Sequence, residues 1–358
     1  MVALSDPLLV QLAERLSSRD VSAVTPLAGG ASSLTYVGQR ADRRVVVKVA
    51  PPRVPPIAHR DVLRQARIIR TLATTPVPVP EVLFDDPGDP PDVPPLFVMS
   101  HVDGTASEPL FDSDDCGTEA VVAERFRNAA ATMAQLHRIE PGAVGLGSEP
   151  LIGPSAEVER WCQTLETIDD ELAPGWREVA AALESSAPPA LPAAIVHGDF
   201  RLGNLLAIDD RITAVVDWEI WSIGDPRVDA GWFLINCDPR TYRRPSGYGD
   251  ATPPLSELTA VYSKELGREV PELDWFQALA CFKSTATWSL IVKHNRRRTH
   301  PDPGLEAMAA VLPQLLSHAR EDHVTIVVWM HMPGVGQKGL TAEVAESSTI
   351  RGDACARA

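Results

Sequence analysis

VHGDFRLGNLL, residues Val196 to Leu206, sets four polar side chains of different chemistry, His197, Asp199, Arg201 and Asn204, among apolar neighbours. A solvated loop has no use for the flanking Val196, Leu205 and Leu206, and a core strand does not tolerate the polar residues between them. Apolar runs lie on both sides: LPAAIV leads into the stretch, and ITAVV leads on into Asp217 of AVVDWE. The pattern reads as strand, loop, strand, with polar groups held between buried anchors.

Asp199, Asn204 and Asp217 offer hard oxygen ligands of the kind that suit Mg²⁺, an ion that keeps waters and shares substrate phosphates. An Asp can also orient and deprotonate an attacking hydroxyl. The spacing D-x-x-x-x-N, followed by an Asp on a later strand, is that of a kinase catalytic loop and its metal-binding Asp. An isolated DxxxxN would be a capped polar turn. The apolar strands on either side favour the site.

Upstream, LAGGASSLTYVG places Gly29 and Gly30 before Ser32, Ser33 and a strand. Backbone N–H groups of such a turn can approach phosphate oxygens, with Ser hydroxyls adding donors. The strand RVVVKVA then carries Lys48, a position for a lysine that pairs nucleotide phosphates. Alone, the Gly-Gly is an ordinary turn and the Lys an edge-strand charge. Together with the later loop they read as a phosphate site.

Around these motifs the chain changes character. Leu34 to Gly38 and Arg44 to Ala50 read as a hairpin with a turn at Gln39 to Arg43. HRDVLRQARIIRTLA carries Val62, Leu63, Ala66, Ile69 and Leu72 at helical spacing. EVLFDD and PLFVMSHV are two further strands. After Asp103–Gly104 the chain turns helical: AVVAERFRNAAATMAQLHRI, AEVERWCQTLETI, GWREVAAALESS, PELDWFQALACFKSTATWSLIVKHNRRR and GLEAMAAVLPQLLSHARE. The expected architecture is α+β and bilobal, a small antiparallel β-rich lobe over residues 1–102 and a larger helical lobe over 103–321. Residues 322–358, including the apolar HVTIVVWMHMPG, fit neither lobe and read as a tail of unknown structure.

Composition removes several classes. The 358 residues carry a formal net charge of −15, which disfavours nucleic acid as partner. No run approaches the ~18 apolar residues of a membrane span. The N-terminal MVALSDPLLVQLAERL reads as an amphipathic helix with Asp6 as N-cap and Pro7 in its first turn, not as a signal peptide. Five widely spaced Cys without a CxxC pair argue against disulfides or zinc and point to a cytoplasmic protein. GVGQKG, at Gly334 to Gly339, matches a dinucleotide fingerprint, but too little chain follows it to complete a βαβ unit. KHNRRR, Lys293 to Arg298, reads first as the basic end of a helix and second as a contact for an anionic substrate.

The strings LAGGASSLTY, VVVKV, LATTPVPVPEVL, FVMSHVDG, HGDFRLGNLL and AVVDWEIWSIGDPRVDAGW together resemble the aminoglycoside phosphotransferase family, over roughly residues 20 to 320. Within it they look like the branch of kinase domains attached to acyl-CoA dehydrogenases. The resemblance implies a protein-kinase-like fold with ATP between the lobes and Mg²⁺ on the phosphates. Asp199 then matches the catalytic base, Asn204 and Asp217 the metal ligands, Arg201 a basic residue near the γ-phosphate, and Lys48 the α/β-phosphate lysine. MSHVDG resembles the hinge, implying that the Ser100 carbonyl and Val102 amide meet adenine. Asp225 and Asp229 match a motif that braces the catalytic loop.

One position departs from the pattern: where a helix Glu would pair with the lysine, this sequence has Gln65, which brings a hydrogen bond but no charge, with Asp61 as an alternative partner. The implied activity is transfer of the γ-phosphoryl group to a hydroxyl of a small molecule, an aminoglycoside or a hydroxylated acid or acyl compound. Trp161, Trp288 and His294 are candidates for its pocket. A nucleotide-binding pseudokinase or interaction module is the alternative reading.

Overall fold

Arg43–Val49 and Leu34–Arg40 are rich in β-branched and aromatic residues, and two such strands joined by a short turn are expected to pair. In the computed structural model, which describes residues 7–27, 33–111, 115–243 and 246–320, they form a hairpin in which Leu34 pairs with Val49 and Arg40 with Arg43. The turn is Ala41–Asp42 alone, tighter than the five-residue turn expected from the sequence. Ala41 takes a positive φ of 52°, as a two-residue hairpin turn demands.

The first lobe contains α1 (Pro7–Ser17), β1 (Val21–Pro26), β2 (Leu34–Arg40), β3 (Arg43–Val49), α2 (Val62–Leu72), β4 (Val82–Asp86) and β5 (Leu96–Ser100). The five strands make one antiparallel sheet in the order β1-β2-β3-β5-β4. Period-two alternation divides it into two faces. Val45, Val47, Leu96 and Val98 bury against Leu12 and Leu16 of α1. Phe97 and Met99 bury on the opposite face with Val62, Ala66 and Ile69 of α2. Lys48 is paired with Phe97 across the ladder, so it stands on the α2 face. Asp61 caps α2, its Oδ1 accepting from the Leu63 and Arg64 amides at 3.1 and 3.0 Å.

The second lobe runs through α3 (Glu119–His137), β6 (Leu151–Ile152), α4 (Pro154–Leu165), α5 (Trp176–Ser185), β7 (Ala194–Val196), β8 (Leu205–Ile208), β9 (Arg211–Val215) and β10 (Ser222–Gly224). It continues with α6 (Arg227–Cys237), α7 (Pro239–Tyr242), α8 (Leu255–Leu266), α9 (Leu273–Arg296) and α10 (Pro303–Ala307). Every residue of α6 is buried, which makes it the central helix, and α9 packs along it. Helix α8, packed on α3, is an element that sequence periodicity did not single out. The fold is thus α+β, a small antiparallel sheet lobe followed by a helical lobe.

Two backbone contacts fix the first lobe and the segment that leaves it against β8 and β9. Thr105 and Ala207 exchange backbone hydrogen bonds at 2.9 and 3.1 Å, and the Val215 amide donates to Pro78 O at 2.8 Å. Gly104, between them, has φ +138°, and a Cβ there would come within 3.0 Å of the Ala207 backbone. The connecting strand therefore crosses β8 only because this residue has no side chain.

No helix among the described residues is long and apolar enough to cross a membrane. KHNRRR closes α9, as its helix-end reading expects: Arg296 pairs with Glu306 at 2.6 Å and the Lys293 ammonium reaches Thr167 O. Asp6, HVTIVVWMHMPG and GVGQKG lie outside the described residues.

Candidate functional site

The loop between β7 and β8 is held from below before it presents anything to the cleft. Asp229, fully buried on α6, accepts the His197 amide on Oδ2 at 2.6 Å and the Gly198 amide on Oδ1 at 2.8 Å. Its carboxyl is opposed by burial but held below its ordinary range by His137, whose Nε2 lies 3.2 Å away, and by the His197 amide. Asp225, by contrast, is engaged with the Arg227 guanidinium and the Leu191 amide. The His197 ring completes the turn: Nδ1 accepts from the Asp199 amide at 3.1 Å, which leaves Nε2 to donate to Val216 O at 2.9 Å. Gly198 has φ +85°, and a Cβ would lie 2.6 Å from Ile220 O, so only glycine fits.

The Asp199 carboxylate is then fixed by three donors. Trp232 Nε1 donates to Oδ1 at 2.7 Å and Asn204 Nδ2 to Oδ2 at 2.7 Å. Arg201 Nε sits 3.2 and 3.4 Å from the two oxygens. The Asn204 amide also donates to the Asp199 carbonyl at 2.9 Å. With its nitrogen spent in this way, Asn204 has its side-chain oxygen left as an acceptor or ligand. Val216 N donates to Asn204 O at 2.9 Å, joining the loop to the segment that carries Asp217.

Asp217 follows β9 with φ +66°, in the left-handed region that aspartate enters more readily than most residues. Its Oδ1 meets Lys48 Nζ at 2.8 Å across the cleft. Burial works to raise its pKa, but the Lys48 ammonium outweighs that and holds the carboxyl below its ordinary range. Asn204 and Asp217 are thus a neutral and an anionic oxygen donor on linked segments. That donor set fits a hard, oxygen-seeking cation such as Mg²⁺.

Of the other residues singled out in the sequence, Ser33 is buried, with a hydroxyl lacking a hydrogen-bond partner. Gly29, Gly30 and Ser32 lie outside the described residues. Ser100 sits at the end of β5, its amide donating to Glu81 O at 2.8 Å, and Val102 follows between the lobes. Gln65 does not meet Lys48. It is buried on α2 and donates to His59 O at 3.4 Å, while Asp61 is occupied as the α2 cap. Neither of the two partners expected for Lys48 on this helix serves; Asp217 does. Trp161 is half-buried on α4 with its indole N–H on Glu157; Trp288 packs on the helical core and His294 is exposed.

Four residues of this region were not legible in the sequence. Glu108 accepts Arg201 Nη1 at 2.6 Å and the Gly203 amide at 2.7 Å. Burial pushes its carboxyl up, and the Arg201 charge and these bonds pull the other way. Trp232 and Lys283 reach Asp199 and the Gly198 carbonyl from α6 and α9. Glu219 is pushed up to about 8, first by burial and then by the Asp217 charge. Lys283 left a trace, a lone charge in ALACFKSTATW; Glu219 and Trp232 lie within AVVDWEIWSIGDPRVDAGW but show no role there by pattern, and Glu108 sits in a segment with no local signal.

A five-stranded lobe with a strand-borne lysine, closed over a helical lobe that carries Asp199 and Asn204 on one loop and Asp217 on the segment after β9, is the architecture of a protein-kinase-like phosphotransferase. The family model APH, described as the phosphotransferase enzyme family, matches residues 23–258, and the chain belongs to that family.

Among curated relatives, mouse acyl-CoA dehydrogenase family member 10 is 26% identical over 282 residues, covering 74% of this chain and 26% of its own length. Chicken acyl-CoA dehydrogenase family member 11 is 28% identical over 280 residues, 73% of this chain and 35% of its own. The chain thus spans about a quarter to a third of those relatives. Viomycin phosphotransferase of Streptomyces vinaceus is 33% identical over 197 residues, 51% of this chain and 62% of its own.

In fold, the chain is similar to a Ralstonia eutropha protein at TM-score 0.73 and 20% identity, covering 88% of this chain and 98% of that one. It also resembles an aminoglycoside phosphotransferase in complex with ADP and hygromycin B, at TM-score 0.58 and 16% identity, covering 86% and 98%. A microcompartment-associated aminopropanol kinase matches at TM-score 0.60 and 18% identity, covering 88% and 98%.

Proposed function

We propose that the protein is an ATP-dependent small-molecule kinase, and that Asp199 takes the proton of the acceptor hydroxyl. The observation that carries this reading is the fixed relation of Asp199 to Asn204 and Asp217. One amide group holds the base, and the same residue keeps an oxygen for a metal beside a second carboxylate. Phosphoryl transfer depends mostly on positioning and charge neutralisation, and this arrangement supplies both.

In this reading Asn204 and Asp217 hold Mg²⁺, which neutralises phosphate charge when bound. Lys48 leaves Asp217 to pair with nucleotide phosphates, and Ser33 offers its hydroxyl as a further donor. Arg201, pinned by Glu108, keeps its charge beside Asp199, where the γ-phosphoryl group arrives. Ser100 and Val102 present backbone groups to adenine. As the acceptor oxygen bonds to phosphorus, its proton passes to Asp199 and the bond to the β,γ-bridging oxygen breaks, releasing ADP.

For the acceptor, one observation favours a hydroxylated acid over a polycation. A cavity of about 280 Å³ beside Glu219 and Trp221 is lined by His59, Arg64 and Arg160. Arg64 donates to Trp221 O at 2.9 Å and pairs with Glu149 at 3.6 Å, and Arg160 pairs with Glu157 at 3.7 Å. Two guanidinium groups against the single carboxyl of Glu219 in this lining favour an anionic substituent over ammonium groups.

The test is the thermal midpoint with ATP, with and without Mg²⁺, for wild type and Asp217→Asn, followed by a panel of hydroxylated acids and aminoglycosides. Ligand binding to the native state raises the midpoint by mass action. The expected result is an Mg²⁺-dependent rise lost in the variant, with ADP formed on hydroxylated acids. No rise in either protein removes the kinase reading and favours an interaction module.

A further inference from the structure

Lys283 lies in the middle of α9, 5% exposed, in the run ALACFKSTATW. An ammonium group buried at that depth is costly unless its charge is met, and a methyl-ended side chain would fill the same volume at lower cost. Burial pulls its pKa below the ordinary lysine range, with the Asp199 and Glu157 charges opposing. Structural filling alone therefore does not account for it.

Its partners belong to the candidate base. The ammonium donates to Gly198 O and sits 3.9 Å from the centre of the Trp232 ring, with the Trp161 ring at 5.5 Å on α4. Gly198 O is one end of the peptide unit that joins Gly198 to Asp199. The other end, the Asp199 amide, donates to His197 Nδ1 at 3.1 Å. That peptide plane is thus held on both sides immediately before the Asp199 side chain leaves the backbone. Trp232 is the second arm, since its indole N–H donates to Asp199 Oδ1 at 2.7 Å. A cation over the ring face is attracted by its quadrupole, fixes the ring plane, and draws density from the indole, which strengthens N–H as a donor.

Resting on the kinase reading above, we infer that Lys283 is a positioning residue for Asp199: it sets the backbone through Gly198 O and the carboxylate through Trp232. It touches neither nucleotide nor acceptor in this role. Its loss tilts the carboxylate while leaving the nucleotide site between Lys48 and Asp217 in place.

The experiment compares wild type, Lys283→Met, Lys283→Arg, Trp232→Phe and the Lys283→Met/Trp232→Phe double variant in the full chain. The readouts are ADP release from MgATP with water as acceptor, giving kcat and KM for ATP, and the thermal midpoint with MgADP. Lys283→Met is expected to lose about 100-fold in kcat, the scale of a misplaced reacting group. Its KM for ATP and its MgADP-dependent midpoint rise stay at wild-type values. Lys283→Arg, which keeps a cation and a donor, regains most of the loss. Trp232→Phe keeps the ring and lowers kcat alone, and the double variant falls by less than the product of the single losses.

Full kcat in Lys283→Met overturns the inference, as does a loss of kcat accompanied by equal loss of the MgADP effect. If Lys283→Met does not fold, unchanged kcat in Trp232→Phe overturns it. A wild-type protein that releases no ADP from MgATP and gains no stability from MgADP removes the kinase reading itself, a result distinct from any of these.

Discussion

Lys48 Nζ stands 2.8 Å from Asp217 Oδ1, so this lysine of the sheet lobe is neutralised by the helical lobe and not by α2. Only 12% of the lysine side chain and 33% of the aspartate side chain are exposed. The pair spans the cleft where nucleotide phosphates are proposed to lie. Removing the lysine leaves Asp217 without its counterion, and removing the aspartate frees the lysine.

The first prediction concerns Gln65, the position expected to serve Lys48. Its Nε2 points to the carbonyl oxygen of His59 at 3.4 Å. Gln65→Glu does not restore an ion pair there; it sets a buried carboxylate against a carbonyl, acceptor against acceptor. The variant is expected to lose about 2–3 kcal/mol in urea unfolding, the cost of a buried charged group left unpaired. No rise in ADP release from MgATP is expected. Higher turnover in Gln65→Glu would show that Lys48 turns to α2 in the working enzyme.

A second prediction separates chemistry from binding at Asp199. Asp199→Asn keeps an oxygen for Trp232 or Asn204 but cannot accept a proton. It also sets an NH₂ group among three donors. ADP release from MgATP is expected to fall about 10²–10⁴-fold, the usual worth of a general base. The rise in thermal midpoint with MgADP is expected to stay, because Asn204 and Asp217 are untouched. A variant that retains full turnover leaves Asp199 without its proposed role.

How far these residues could be read in the sequence follows from how local each one's signal is. His197 to Asn204 and Asp217 lie next to apolar strands in the chain, so polar residues among anchors were visible as a candidate site. Lys48 was visible for the same reason, as the one charge in the inward half of a valine strand. The two-lobe α+β division followed from strand periodicity giving way to helical periodicity after Gly104. Glu108, Trp232 and Lys283 come to Asp199 from segments distant in sequence, 91, 33 and 84 residues away by subtraction of their numbers. Only folding makes them neighbours. The partner of Lys48 was misplaced on α2 because spacing along the chain does not say which way a buried amide points.

The third prediction tests the salt bridge that pins Arg201. Glu108 Oε1 accepts both Arg201 Nη1 at 2.6 Å and the Gly203 amide at 2.7 Å, binding the two sides of the turn before Asn204. Glu108→Gln leaves a largely buried guanidinium with Asp199 as its remaining carboxylate. Breaking such a pair by removing one partner costs about 3–5 kcal/mol when fully buried, and the solvent-facing part of Arg201 reduces that to roughly 2–3 kcal/mol. Glu108→Gln/Arg201→Gln is expected to be less destabilised than the sum of the two single variants, measured by urea unfolding of all four proteins. Additive losses would mean that the two side chains act separately.

The last prediction uses Glu219, two residues past Asp217. Burial first, then the Asp217 charge, raises its pKa to about 8. In the unfolded chain a glutamate releases its proton near ~4.3, so between that pH and about 8 the native state holds more protons than the unfolded one. A carboxyl raised in this way makes stability fall as pH rises through that window. Glu219→Gln, neutral throughout, is expected to remove this part of the slope: similar to wild type near pH 4, and progressively more stable relative to it toward pH 8. Urea midpoints at closely spaced pH values measure the difference.

The same proton bears on metal binding, since a cation on Asn204 and Asp217 would favour the ionised form of Glu219. Proton release on adding MgADP, read by calorimetry in buffers of different ionisation enthalpy near pH 7, is therefore expected in wild type and reduced in Glu219→Gln. Equal release from both proteins would place the proton on another group. A pH slope unchanged by the substitution would mean that Glu219 is already ionised in the free protein.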